Sequence, residues 1–356
     1  MDKLFLKDAE NIHCAFPTLF ASLAHSKILI TGGCGLITSY LAKILLCCIQ
    51  EYPFELYLQC RNIRKAEKLF EGCMDTGHVH LVDFPLEKEI PSDVRYDYIL
   101  HGASPCSTHH FVHSPVDVIA PNALGTWNLL QYARNCGTKK VVFFSSNSIY
   151  GEGGISTDIL TEKDLGIVDP LGVRSCYIES KRLAEQMCRA FSVQYGVPSS
   201  IVRICHTYGP TFSLEGDSRI IARIIRQITQ NEDITMYKDP DSVIQYTYVA
   251  DIATAILFLM LCGESGEAYN ACGDEIMTMD QVVECMLKSD PRIRSRLIEK
   301  PIDENYAFSK GKGINFIKLS NSKLRSLGWR PLWPNEEGLT QVIQYYLDKC
   351  SIEERL

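Results

Sequence analysis

Two residues four apart, Tyr177 and Lys181, are able to do proton chemistry together. On a helix that spacing turns both side chains to one face. A tyrosine ionises at about 10, and bringing it near neutrality costs roughly 4 kcal/mol, which a neighbouring ammonium can help to supply. So tuned, the phenolate takes a proton from a hydroxyl, and Ser146, which follows the apolar run Lys140–Ser145, can donate to the same oxygen. A Tyr-x-x-x-Lys pair alone also describes an ordinary helix surface, so the rest of the chain must decide. Upstream, Thr31-Gly32-Gly33-Cys34-Gly35-Leu36-Ile37-Thr38 follows directly on the apolar segment Lys27–Thr31. Glycines there let the backbone turn tightly and approach a pyrophosphate, whose charge the N-terminus of the next helix stabilises. A plain strand-to-helix turn is the alternative. Position at the first turn of a βαβ pattern favours a dinucleotide, whose positive nicotinamide ring also helps to lower the tyrosine. Thr38 stands where a third glycine brings helix and strand close, so local spreading is expected.

These residues need a scaffold, and the chain alternates accordingly. Strands are predicted at Lys27–Thr31, Glu55–Cys60, Val79–Val82, Tyr96–His101, Lys140–Ser145 and Ser200–Ile204, and helices over 36–49, 115–136 and 175–195. Alternating strands and helices predict right-handed crossovers and an α/β fold: a Rossmann-type, doubly wound parallel sheet with ligands at the carboxyl ends of its strands. Residues 1–26 read as an added N-terminal arm, 27–209 as the dinucleotide-binding domain with 246–263 returning to it, and 210–356 mainly as a smaller substrate-binding lobe. In that lobe, helices are expected over 219–229 and 251–261. The second strand ends in Gln59-Cys60-Arg61-Asn62, without the carboxylate that accepts hydrogen bonds from an adenosine ribose. Arg61 there suits a 2′-phosphate or stacking on adenine, so both NAD and NADP remain open, and Asp83 and Phe84 are expected beside the adenine.

Composition narrows the partners. The 356 residues carry a net charge of −7, with 46% hydrophobic and 22% charged residues. That balance offers no general attraction to nucleic acid or an anionic membrane. The longest near-apolar run, Ile252–Cys262, is too short to span a bilayer. Fifteen scattered cysteines without a Cys-x-x-Cys pair read as reduced thiols in a cytoplasmic protein. Cys34, Cys106 and Cys176 flank the presumed site and read as small semi-apolar filler. His101, His109, His110 and His113 lie close in sequence but read as loop or substrate-contact residues rather than metal ligands.

Together, TGGCGLITSYL, HGASP (His101–Pro105), PVDVIAPNALGTWNLL (Pro115–Leu130), SSNSIYG (Ser145–Gly151), RSCYIESKR (Arg174–Arg182), HTYGP (His206–Pro210) and YTYVAD (Tyr246–Asp251) resemble the extended short-chain dehydrogenase/reductases, the NAD-dependent epimerase/dehydratase group that acts on nucleotide sugars. The resemblance covers nearly all of residues 27–345, and several stretches look most like UDP-glucuronate decarboxylases. It implies catalysis by Tyr177, Lys181 and Ser146. Cofactor contacts are implied at Gly32, Gly35, Leu36, Ile37, Arg61, Asp83, Phe84, Ala103, Ser104 and Asn122, besides Tyr177 and Lys181. Ser104, Ser148, His206 and Arg219 are implied on the substrate, with no metal, and a homodimer formed through the helices at 115–136 and 175–195.

The departures from the family pattern matter as much. Dehydratases place Asp-Glu after the catalytic Ser/Thr, and decarboxylases keep the second as Glu; here Asn147 and Ser148 follow Ser146. Neither holds a proton for elimination at neutral pH. His206 replaces the usual Asn, and Ile244 replaces an Arg for the substrate diphosphate, so that either Arg219 takes over that contact or the nucleotide is held differently. The expectation is a nucleotide-sugar 4-epimerase that works by hydride transfer at a ring hydroxyl. A decarboxylase, dehydratase or reductase is the runner-up, and a dinucleotide-sensing regulator is the non-enzymatic rival.

Overall fold

The computed structural model describes all residues except 1, 75–76, 152–158, 216, 218, 238–242, 302–317 and 354–356. Seven strands form the central sheet: β1 (Lys27–Thr31), β2 (Glu55–Gln59), β3 (Val79–Val82), β4 (Tyr98–His101), β5 (Lys140–Ser146), β6 (Ser199–Ile204) and β7 (Glu267–Ala271). All pair in parallel, in the order β7-β6-β5-β4-β1-β2-β3. This is the Rossmann-type doubly wound sheet. Its inner strands, such as β1 and β5, carry short, continuous apolar runs because both faces are covered. Ile28 and Ile30 point into one hydrophobic core and Leu29 into the other, as a period of two requires. The chain reverses direction across the sheet between β1 and β4, and a crevice opens there at the carboxyl ends of the strands.

The principal helices are α1 (Lys3–Ala15), α2 (Leu36–Cys48), α3 (Ile63–Leu69), α4 (Pro115–Ala120), α5 (Thr126–Cys136), α6 (Ser175–Tyr195), α7 (Ile220–Thr229), α8 (Val249–Cys262), α9 (Met279–Lys288) and α10 (Asn335–Glu353). The single helix expected over 115–136 is divided. Pro121 has no N–H to donate, and Pro121–Gly125 form one wider π turn between α4 and α5. β7 was not visible in the sequence pattern, yet it extends the sheet beside β6 from within 210–356. The arm is built into the core: Asp8 of α1 is fully buried and accepts from the hydroxyls of Tyr40 (2.6 Å) and Tyr248 (2.7 Å). Burial raises this carboxyl to about 6. Just after β6, His206–Tyr208 pairs in parallel with Tyr246–Tyr248, forming a small ladder beside the crevice. Among the described residues, no helix is long and apolar enough to cross a membrane.

Candidate active site

The crevice holds a cavity of about 720 Å³. At one end lies the glycine turn between β1 and α2. Gly32 has φ +68°, and a Cβ on it would stand 2.7 Å from the Ala103 Cα, so only glycine fits there. A side chain on Gly35 would meet the Thr38 hydroxyl at 2.9 Å. Thr38 donates to the Gly32 carbonyl at 2.6 Å and clips the turn shut. The spreading expected from Thr38 is relieved on the facing strand end: a Cβ at Gly102 would lie 2.4 Å from the Thr38 methyl, so glycine at 102 leaves the room that a third turn glycine would have left. Leu36 and Ile37, at the start of α2, line the cavity, and N–H groups in a first helical turn have no acceptor within the helix. Gln59, absent from the sequence-based site, braces this turn. Its buried amide accepts from Gly32 N (3.2 Å) and donates to the Phe84 carbonyl (2.9 Å).

These features fit a dinucleotide: a close backbone approach, a helix N-terminus and a fixed strand end. Ser104 lines the same cavity, while Arg61 and Asp83 are exposed and Phe84 is buried. Asn122 does not line it. Its side chain is buried at the π turn, where the amide nitrogen donates to the Val118 carbonyl and to Ser180 Oγ, both at 3.0 Å, and ties the turn to α6.

Tyr177 and Lys181 lie one turn apart on α6 and face the cavity opposite the turn, with Ser146 at the end of β5. Lys181 Nζ donates to the Phe144 carbonyl at 2.6 Å and sits 5.8 Å from the centre of the Tyr177 ring. Burial lowers Lys181 to about 7. Burial also pushes the Tyr177 phenol well up, partly offset by a hydrogen bond with Ser146 and by the positive charge of Arg174. Phe111 stacks on the Tyr177 ring with centroids 5.1 Å apart, a contact no short motif reveals. Behind the site, Glu185 of α6 accepts from Ser145 Oγ (2.5 Å) and pairs with the buried Arg203 of β6 (2.8 Å). That network fixes α6 against the sheet.

Beyond the tyrosine, Ser146 Oγ donates to Asn147 Oδ1 at 3.3 Å, and the Asn147 amide donates to His206 Nδ1 at 3.3 Å. That bond leaves the ring proton on Nε2, where it can donate into the cavity. The surrounding cleft and Arg174 hold His206 below its ordinary range, hence neutral. Arg219 lines the cavity too, but its guanidinium is tied to Asp217 at 3.0 Å and lies over the Phe212 ring. Arg174 lines the cavity with no carboxylate bound to it among the described residues. Asp217 is the one carboxylate among the described residues that line the cavity. His101 belongs to the core, 2.8 Å from Thr31 Oγ1 and held neutral by burial, whereas His109, His110 and His113 are exposed. No group of three His, Cys, Asp or Glu suited to a metal occurs among the described residues.

A doubly wound sheet with a glycine turn at its switch point and a Ser-Tyr-Lys set facing it defines a dinucleotide-dependent enzyme class. Residues 28–272 match the NAD dependent epimerase/dehydratase family, and the chain belongs to it. Curated relatives include UDP-glucuronic acid decarboxylase 1 of Danio rerio, 28% identical over 90% of this chain and 72% of that protein. UDP-glucuronic acid decarboxylase 6 of Arabidopsis thaliana is 29% identical over 89% of this chain and 87% of its own length. Among solved structures, UDP-glucose 4-epimerase of Thermotoga maritima with UDP-glucose superposes with a TM-score of 0.75 at 22% identity, over 91% of this chain and 99% of that one. The dTDP-glucose 4,6-dehydratase of Streptomyces venezuelae with NAD bound gives 0.73 at 22% identity, over 92% and 98%. At such identities the structural likeness speaks for the fold.

Proposed function

We propose that the protein is a nucleotide-sugar 4-epimerase that uses NAD, works as a homodimer, and removes and restores hydrogen at one ring carbon of a nucleoside-diphosphate sugar. Bound along the Gly32–Gly35 turn, the dinucleotide supplies the hydride acceptor and donor. Tyr177 takes the proton of the sugar hydroxyl, Lys181 favours the phenolate by its charge, and Ser146 polarises the same oxygen. His206 Nε2, Ser148, Ser104 and the guanidinium of Arg174, which no carboxylate binds among the described residues, offer donors to the rest of the substrate.

One observation carries the choice of reaction: the only carboxylate lining the cavity, among the described residues, is Asp217, already paired with Arg219. Elimination of water needs an acid and a base flanking the sugar, and protonation of a carbon after loss of carbon dioxide needs an acid. Epimerisation through a 4-keto sugar needs neither. The relatives' names favour decarboxylation as the second reading, and the two differ in product mass. Incubated with UDP-, GDP-, CDP- and dTDP-sugars including UDP-glucuronate, the enzyme is expected to give epimers of unchanged mass. A product lighter by one carbon dioxide or one water would overturn the epimerase reading.

A further inference from the structure

Two thiols meet at the glycine turn. Cys34 lies within it, half-buried and lining the cavity, and Cys60 lies just past β2, with their sulfurs 3.7 Å apart. We propose that this pair is a modification site, at which a peroxide-class oxidant forms a Cys34–Cys60 disulfide that distorts the turn and weakens dinucleotide binding; the second half of this inference rests on the turn being the dinucleotide site.

The two cysteines are suited to different parts. Cys34 immediately precedes the N-cap of α2, Gly35, where the helix favours negative charge. The contact with the Cys60 thiol and, less strongly, the charge of Lys65 hold the Cys34 thiol below its ordinary range against the effect of burial, so Cys34, open to the cavity, is the thiol of the pair that ionises first. Cys60 is buried, and the charge forming on Cys34 pushes its thiol up, so it keeps its proton while Cys34 ionises.

The Cys34 thiolate attacks one oxygen of hydrogen peroxide, the O–O bond breaks, and one water leaves with a proton from solvent, giving a Cys34 sulfenic acid. That step removes the negative charge that opposed ionisation of Cys60. The Cys60 sulfur then attacks the sulfenic sulfur, the S–O bond breaks, and the departing hydroxide takes the Cys60 proton as a second water. Two thiols lose two electrons and one peroxide becomes two waters. A dithiol reductant reverses the change.

Bonding requires a separation of about 2.05 Å, so the sulfurs must close by roughly 1.7 Å. Cys60 has little freedom to move. A Cβ at Gly33 would lie 2.9 Å from its sulfur, which already fills the space against the turn, and its backbone N–H is bonded to the Val82 carbonyl at 3.0 Å. The displacement therefore falls on Cys34 and the turn that carries it. By linkage, whatever factor oxidation removes from cofactor affinity, bound cofactor removes from the stability of the disulfide.

The test treats cofactor-free protein with stoichiometric hydrogen peroxide and maps all fifteen cysteines by peptide mass spectrometry. The expected result is a Cys34–Cys60 linkage, a tenfold or greater loss of NAD affinity by calorimetry, full recovery with dithiothreitol, and slower oxidation when NAD is bound beforehand. In Cys60→Ser the reaction should stop at a Cys34 sulfenic acid that dimedone traps, with the circular dichroism of the fold unchanged. Cys34 and Cys60 remaining unlinked would overturn the proposal, as would a linkage that leaves NAD affinity intact. If reduced protein bound no NAD, the turn's assignment would fall and the effect on cofactor with it, while the peptide map would still report on the thiol chemistry separately.

Discussion

Lys181 is buried and Tyr177 half-buried one turn away on α6, where neither charged form is favoured. Burial disfavours the phenolate of one and the ammonium of the other, and with Lys181 at about 7 the pair reaches its reactive form only when other charges intervene. Arg174 supplies one such charge from the residue preceding α6. Replacing the phenol by a phenyl ring keeps the stacking on Phe111 and removes only the oxygen proposed to move the proton. Tyr177→Phe is therefore expected to lower turnover by about 100-fold or more while dinucleotide affinity stays within about twofold, measured by stopped-time assay and calorimetry. Lys181→Met should reduce both. Normal turnover by Tyr177→Phe would mean that the proton leaves by another route.

At the scale of elements, the strand–turn–helix from Lys27 to Cys48 does the positioning, and its glycines are set by backbone contacts rather than by flexibility. Gly35→Asp pushes a side chain toward Thr38, 2.9 Å from the Cβ position, and brings a negative charge to the start of α2. NAD affinity is expected to fall by at least tenfold in a variant that still folds by circular dichroism; unchanged affinity would remove the turn from the cofactor site. The same segment shows what a sequence displays. β1, β2 and β5 were legible because strands covered on both faces are uninterrupted apolar runs, and Ser146, Tyr177 and Lys181 because their spacing follows from a strand end and one helical turn. β7 was not legible: Glu267-Ala-Tyr-Asn-Ala is an edge strand whose Glu267 faces Arg189 and Lys323 and whose Asn270 is bonded within the fold. Nor were the contacts that tune the site. Phe111 on Tyr177, Glu185 with Arg203, and Asn147 with His206 join residues 18 to 66 positions apart, as the pairing of Asn147 with His206 over 59 positions illustrates. Such pairs exist only once the sheet has brought their elements together.

At the scale of the whole molecule, an apolar surface stands uncovered on the helices behind the candidate active site, apart from a second exposed apolar stretch at Leu165–Val173. Val116 (71% exposed), Ile119, Leu124 and Trp127 recur at helical spacing along α4, the π turn and α5, while Leu183 and Val193 (72%) stand on the neighbouring α6. Trp127 packs edge-on against Phe191, and Arg134 lies over Tyr195, so the two stretches form one continuous patch. An exposed apolar patch of this kind is suited to covering by another copy of the chain, in line with the homodimer proposed above. Two copies related by a twofold axis would cover it reciprocally, since each then offers the same helices to the other. The protein should accordingly travel at twice its 40.2 kDa chain mass in light scattering at micromolar concentration. Leu183→Glu puts a charge in the patch, where burial without a partner costs several kcal/mol, and is expected to give monomers. Because Leu183 and Lys181 share α6 but face different ways, the monomer should keep its NAD affinity while losing thermal stability. A wild-type chain that is monomeric at these concentrations, or a Leu183→Glu variant that still dimerises, would place the association surface elsewhere.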